Sequence, residues 1–195
     1  MKYLPLPDYE QIDFAGLRKF PMSIILQAGS NVLTQYASNH WMDFPYKPAF
    51  THALIYIADD DCLSMGFNAQ IFKIQELYRP SQRWVVIHFR DITQKVIEDG
   101  IRIAYNRAGS NETKYKFYDV MGYLGFLSRC FPVLGKAKFL HGSKKTEFCS
   151  DQVVNVLKEA GYPLFNGLDG NLVSPCDIFM LCAKWTYSYF QELKN

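Results

Sequence analysis

The run THALIYIADDDCLSMGF, residues 51–67, constrains the fold of this chain more than any other stretch. Apolar and β-branched residues fill two short segments, and three consecutive acids stand between them, which reads as two strands joined by a tight acidic turn. AQIFKIQEL (69–77) is expected to continue the meander, and PMSIILQAG (21–29) to form a buried strand that ends in a turn. RWVVIHF (83–89) alternates, with Trp84, Val86 and His88 on one face and Val85, Ile87 and Phe89 on the other. Four or five antiparallel strands fit this pattern.

After Phe89 the period changes. Asp91 is expected to cap a helix, with Gln94 three positions on, and Ile97, Ile101, Ala104 and Ala108 form one stripe. NVLTQYASNHW (31–41) reads as a short helix or irregular arm, and YKFYDVMGYLGFLSR (115–129) as a second helix. A helix also begins in TEFCSDQVVNVLKEAGYP (146–163), where Cys149, Val153, Val156 and Ala160 recur at helical spacing and Gly161 and Pro163 end the run. SPCDIFMLCAKW (174–185) reads as a final helix capped by Ser174 with Pro175 at its first position. Strands followed by helices indicate an α+β fold. A length of 195 residues with 49% hydrophobic residues suits one domain, 1–195.

Composition narrows the function classes. Twenty-one basic residues against 19 acidic ones leave +2, which gives no general reason to expect nucleic-acid binding. The five cysteines, 62, 130, 149, 176 and 182, lack the paired short spacing of a zinc site and the density of a disulfide scaffold. Reduced thiols, no metal and no organic cofactor are expected. The N-terminal MKYLPLPDYEQIDF lacks the apolar run of a signal peptide, and no segment approaches the ~20 apolar residues of a membrane span. A cytoplasmic, or virion-borne and host-delivered, protein is the expectation. The basic-apolar stretch 129–145, in which Lys136, Lys138, Lys144 and Lys145 alternate with Phe131, Leu134, Phe139 and Leu140, offers either peripheral contact with anionic lipid or a solvated loop.

Cys149 falls in the first turn of its helix. Unpaired backbone N–H groups and the positive end of the helix dipole favour a thiolate there, as a nucleophile requires; a small buried apolar residue is the alternative. A nucleophilic cysteine needs a base. Of the four histidines, His52 opens a strand, His88 lies within an aromatic strand, and His40 and His141 sit in loops; His141 is a rival base because it is close to Cys149 in sequence.

The order of these elements resembles the permuted papain-like hydrolases typified by YiiX and YaeF, which are similar in turn to the NlpC and lecithin retinol acyltransferase groups. Four motifs carry the resemblance: Thr51-His52-Ala53-Leu54-Ile55-Tyr56-Ile57-Ala58-Asp59, Phe117-Tyr118-Asp119, Phe148-Cys149-Ser150-Asp151-Gln152-Val153 and Ser174-Pro175-Cys176-Asp177. The resemblance spans about residues 17 to 181 and leaves 1–16 as an N-terminal extension. The resemblance implies a circularly permuted papain-like (NlpC-like) fold, a small antiparallel β-barrel or meander packed against helices. It also implies a cysteine hydrolase in which Cys149 attacks an amide, peptide or ester and His52 is the base. Acyl transfer from an acyl-lipid or acyl-amide uses the same thioester, and a degraded member acting as a binding or virion-associated structural protein is a third possibility. Family members commonly carry an acid twelve residues beyond the histidine, where this chain has Ser64. A hydroxyl can orient the imidazole but supplies no negative charge. The Asp59–Asp61 acids read as a solvated turn.

Overall fold

The computed structural model describes residues 4–5, 14–28, 46–47, 50–65, 68–77, 83–110, 149–168 and 173–192. The expected helices at 31–41 and 115–129, the stretch 129–145, His40 and His141 lie outside the described residues.

Two short strands, β1 (Leu4–Pro5) and β3 (Tyr46–Lys47), pair in parallel. The main sheet holds β2 (Ile24–Ala28), β4 (His52–Ala58), β5 (Asp61–Met65), β6 (Ala69–Lys73) and β7 (Arg83–Ile87). It is antiparallel and open, in the order β6-β5-β4-β2-β7, so the barrel alternative is not the described arrangement. Only β4, β5 and β6 form the expected meander. β7 does not join beside β6; it crosses to pair with β2, with Ile24 opposite Ile87 and Gln27 opposite Trp84. That choice places Val85 with Leu26, both buried, on the face where most of the core lies.

The β4–β5 hairpin closes through a two-residue turn. Asp59 and Asp60 have φ of 51° and 67°, the left-handed pair that lets a tight turn follow the twist of the strands. Asp59 is exposed, as a solvated turn implies, while Asp60 and Asp61 are half-buried and take partners. Arg18 donates to both oxygens of Asp60, Gln75 donates to Asp60 at 3.0 Å, and Tyr105 donates to Asp61 at 2.6 Å. Lys73 pairs with Asp61 and donates to the Asp59 carbonyl. Residues 74–77 turn helical instead of extending β6, with the Ile74 N–H donated to the Asp60 carbonyl.

The remaining helices are α1 (Phe14–Leu17), α2 (Ile74–Leu77), α3 (Gln94–Ala108), α4 (Cys149–Glu159) and α5 (Pro175–Glu192). Thr93, not Asp91, caps α3, because its hydroxyl accepts the Val96 N–H while Asp91 accepts the Tyr162 hydroxyl at 2.8 Å. Gly161, with φ of 87°, supplies the left-handed residue that follows α4. Ser174 and Asp177 cap the start of α5 reciprocally, each side chain accepting the other's backbone N–H. Arg107 of α3, 2% exposed in its side chain, holds Glu159 at the far end of α4 at 2.7 Å.

Two apolar clusters occupy the two sides of the sheet. Ala53, Ile55, Ile57, Leu63 and Met65 share the larger one with α4 and α5, whereas Leu54, Tyr56, Cys62 and Trp84 share the smaller one with Leu17 and Ile74. The split follows strand alternation, odd residues of β4 and β5 on one side and even residues on the other. No helix among the described residues is long and apolar enough to cross a membrane.

Candidate functional site

Strand pairing carries the candidate base to its partner. Leu54 lies opposite Ser64 in the β4–β5 register, so His52, two residues earlier on the same face, is the diagonal neighbour of Ser64. The His52 Nε2 and the Ser64 hydroxyl are 3.0 Å apart, and Ser64 is 5% exposed. With Nε2 engaged, Nδ1 is the ring nitrogen left to exchange a proton. His52 keeps partial exposure at the strand end, yet burial of its ring pushes the imidazole down to about 4, so it is neutral at pH 7.

Cys149 is the first residue of α4 and is 3% exposed. Its stripe mates Val153, Val156 and Ala160 are also buried, so the amphipathic spacing seen in the sequence is the face that docks on the sheet. The thiol is not in a disulfide. Three contacts locate this end of α4. Gln152 donates from Nε2 to the Met65 sulfur at 3.8 Å, and Met65 follows Ser64 on β5. Ser150 donates to the Val173 carbonyl at 2.6 Å, at the head of α5. Cys176 of α5 donates its S–H to the carbonyl of Phe50, two residues before His52, at 3.5 Å. The first turns of α4 and α5 and the start of β4 therefore meet at one end of the sheet.

Alternation adds a constraint that the motifs do not carry. In the register His52 and Ser64 share the parity of Leu54 and Cys62 of the smaller cluster, whereas Cys149 packs in the larger cluster, as does Phe50 just ahead of β4. His52 is the first residue of β4. His52 and Cys149 therefore stand at the same end of the sheet.

Gln152 is the residue that sequence reasoning passed over. It is 1% exposed, three residues beyond Cys149, and touches the strand that carries Ser64. A polar residue beside the apolar stripe of α4 was the available signal. His88, the other described histidine, bonds Ser23 through Nδ1 at 2.8 Å and stacks on Phe20, well removed from the His52 end of its sheet neighbours. Burial raises the thiols of Cys62, Cys176 and Cys182 to about 12, so these three are poor nucleophiles at neutral pH. Among the described residues, no group of three or more His, Cys, Asp or Glu is placed to hold a metal ion. In comparisons with known proteins, no family model and no curated protein matches the chain.

Proposed function

We propose that the protein is a cysteine hydrolase of the permuted papain-like kind, acting on an amide, peptide or ester through a thioester on Cys149. The observation that carries this reading is the 3.0 Å contact between His52 Nε2 and Ser64, at the end of the sheet where α4 begins. Ser64 orients the ring and leaves Nδ1 for the thiol proton. The Cys149 sulfur then attacks the substrate carbonyl, the leaving group departs with a proton from the imidazolium, and a water deprotonated by His52 releases the acid. The backbone N–H of Cys149, at the positive end of α4, is the oxyanion donor in this scheme. Transfer of the acyl group to an amine or a lipid acceptor differs only in the second step.

A second reading has its own support. Ser64 brings no charge, and the Cys149 thiol is buried. A chain with those features also suits a binding or structural protein that has lost catalysis. Exposure to cell extract followed by intact-mass measurement separates the two. The hydrolase reading predicts an acyl adduct that maps to Cys149, is released by hydroxylamine and is absent from Cys149→Ala. No adduct on Cys149, under conditions where the protein is folded, supports the binding protein instead.

A further inference from the structure

Val85, Val86, Ile87 and His88 line one open hollow of about 330 Å³ together with Phe179, Cys182 and Ala183 of α5. Successive strand residues point to opposite faces, so a hollow that touches four in a row runs along the outer edge of the strand. β7 is the terminal strand of the sheet. Which of its backbone groups face that edge follows from the ladder on its inner side.

Tyr56 donates its N–H to the Ser23 carbonyl at 2.8 Å, which directs the backbone of Ser23 toward β4. In an antiparallel ladder alternate residues bond to alternate neighbours, so Ile24, Leu26 and Ala28 bond toward β7. Their partners there are Ile87, Val85 and Arg83. Val86, between them, turns its N–H and C=O outward, and neither group is hydrogen-bonded among the described residues. Phe179, Cys182 and Ala183, at i, i+3 and i+4, form the facing wall.

His88 sets the polar end of the hollow. The single hydroxyl proton of Ser23 goes to the Phe20 carbonyl at 2.5 Å, so the Ser23 oxygen accepts from His88 Nδ1–H at 2.8 Å. With the proton on Nδ1, the neutral ring leaves Nε2 as an acceptor.

We infer that the groove between β7 and α5 binds an extended peptide, which adds as a further strand on Val86 and seats one apolar side chain against Phe179, Cys182 and Ala183. An edge that offers one N–H and one C=O side by side matches a peptide backbone, which offers the complementary pair. Four lining residues at ~3.3 Å each correspond to a bound stretch of about four residues. A second copy of this chain fits less well. It carries α5 alongside its own β7, so edge-to-edge pairing would bring two such helices against one strand pair. A donor on the peptide, such as a Ser or Thr hydroxyl, would meet His88 Nε2. This surface is separate from His52, Ser64 and Cys149, and its occupancy stands or falls apart from the hydrolase reading.

The test is selection of a displayed library of linear heptapeptides on the intact chain, followed by amide hydrogen exchange with a synthetic copy of the best binder. The Val86 amide should exchange freely in the peptide-free protein and slow at least about 10-fold at saturation, while the amides of Val85 and Ile87, already in the ladder, stay protected. Val86→Pro removes an outward N–H and no bond to β2, and should weaken binding about 10-fold or more. Ala183→Phe fills the hollow and should do the same. N-methylation of the peptide at the residue facing Val86 gives a third arm that leaves the protein unchanged. Failure to select any peptide that protects Val86 overturns the proposal. So does binding that is indifferent to Ala183→Phe and N-methylation, or Val86 protection that appears with rising protein concentration alone, which would assign the edge to a second copy.

Discussion

The β4–β5 hairpin has two ends that differ in kind. At its tip, Asp59 to Asp61 gather Arg18, Lys73, Gln75 and Tyr105 around them, and the Arg18 guanidinium holds the Asp60 carboxyl down to about 2. At its open end, His52 and Ser64 make one neutral hydrogen bond, with Ser64 where a carboxylate would be needed to stabilise imidazolium. The acids of the hairpin are spent on the turn. What the contrast teaches is that charge density in a sequence locates electrostatic structure and not proton-transfer chemistry. The open end depends on a ring kept neutral by burial and on a helix terminus.

Substitutions test that division, the largest effect first. Cys149→Ala and His52→Ala should each abolish turnover of any substrate found by acyl capture, with folding intact by circular dichroism; residual turnover in either would remove that residue from the scheme.

The pH dependence of stability comes next. The His52 pKa is lowered in the fold, from 6.5 to about 4, so the unfolded chain takes up a proton that the folded chain refuses. Stability attributable to His52 is therefore complete above pH 6.5, declines as the pH falls from there, and levels off below about pH 4. The full shift corresponds to at most about 3 kcal/mol, less for a residue with partial exposure. His88, also lowered by burial and by Arg90, contributes in the same direction. Urea unfolding at pH 7 and pH 4.5 should show a smaller pH-dependent loss in His52→Gln than in the parent chain, and an equal loss would mean that the ring is solvated.

A smaller effect is expected at Ser64. Ser64→Ala should slow turnover about 5- to 10-fold, the loss of one neutral hydrogen bond of about 1–1.4 kcal/mol. Ser64→Glu introduces a negative charge beside the ring, and should raise the His52 pKa in an NMR titration whether or not the larger side chain leaves the rate intact. At the tip, Asp60→Asn should cost about 1 kcal/mol or less, because Arg18 is mostly exposed. It should leave thiol reactivity at Cys149 unchanged. A change in that reactivity would show that the two ends are coupled.

The hairpin was legible in the sequence because its determinants are local. Alternation gives the strands and three acids give the turn, but the pairing of Leu54 with Ser64, which sets Ser64 diagonal to His52, also needs the irregularity between Tyr56 and Ala58 that shifts the turn's register by one. The start of α5 was legible for the same reason, since Ser174, Pro175 and Asp177 are neighbours in the chain. Other features depended on distant residues. That β7 pairs with β2 and not β6 is a matter of which buried faces fit, which no single segment encodes. Asp91 looked like a cap until Tyr162 claimed its carboxylate and Thr93 took the role. That the Cys149 end of α4 packs into the larger cluster required knowing which side of the sheet α4 covers.

The central claim is that His52 acts on Cys149 at this end of the sheet, and alkylation mapping tests it without a known substrate. Native protein and His52→Gln are treated briefly with iodoacetamide between pH 4.5 and 7.5, and each cysteine is followed by peptide mass. The account predicts that Cys149 reacts well before Cys62, Cys176 and Cys182, and that His52→Gln slows Cys149 at least about 10-fold while leaving the other three unchanged. Labelling of Cys149 no faster than its buried counterparts, or at a rate indifferent to His52→Gln, would contradict it.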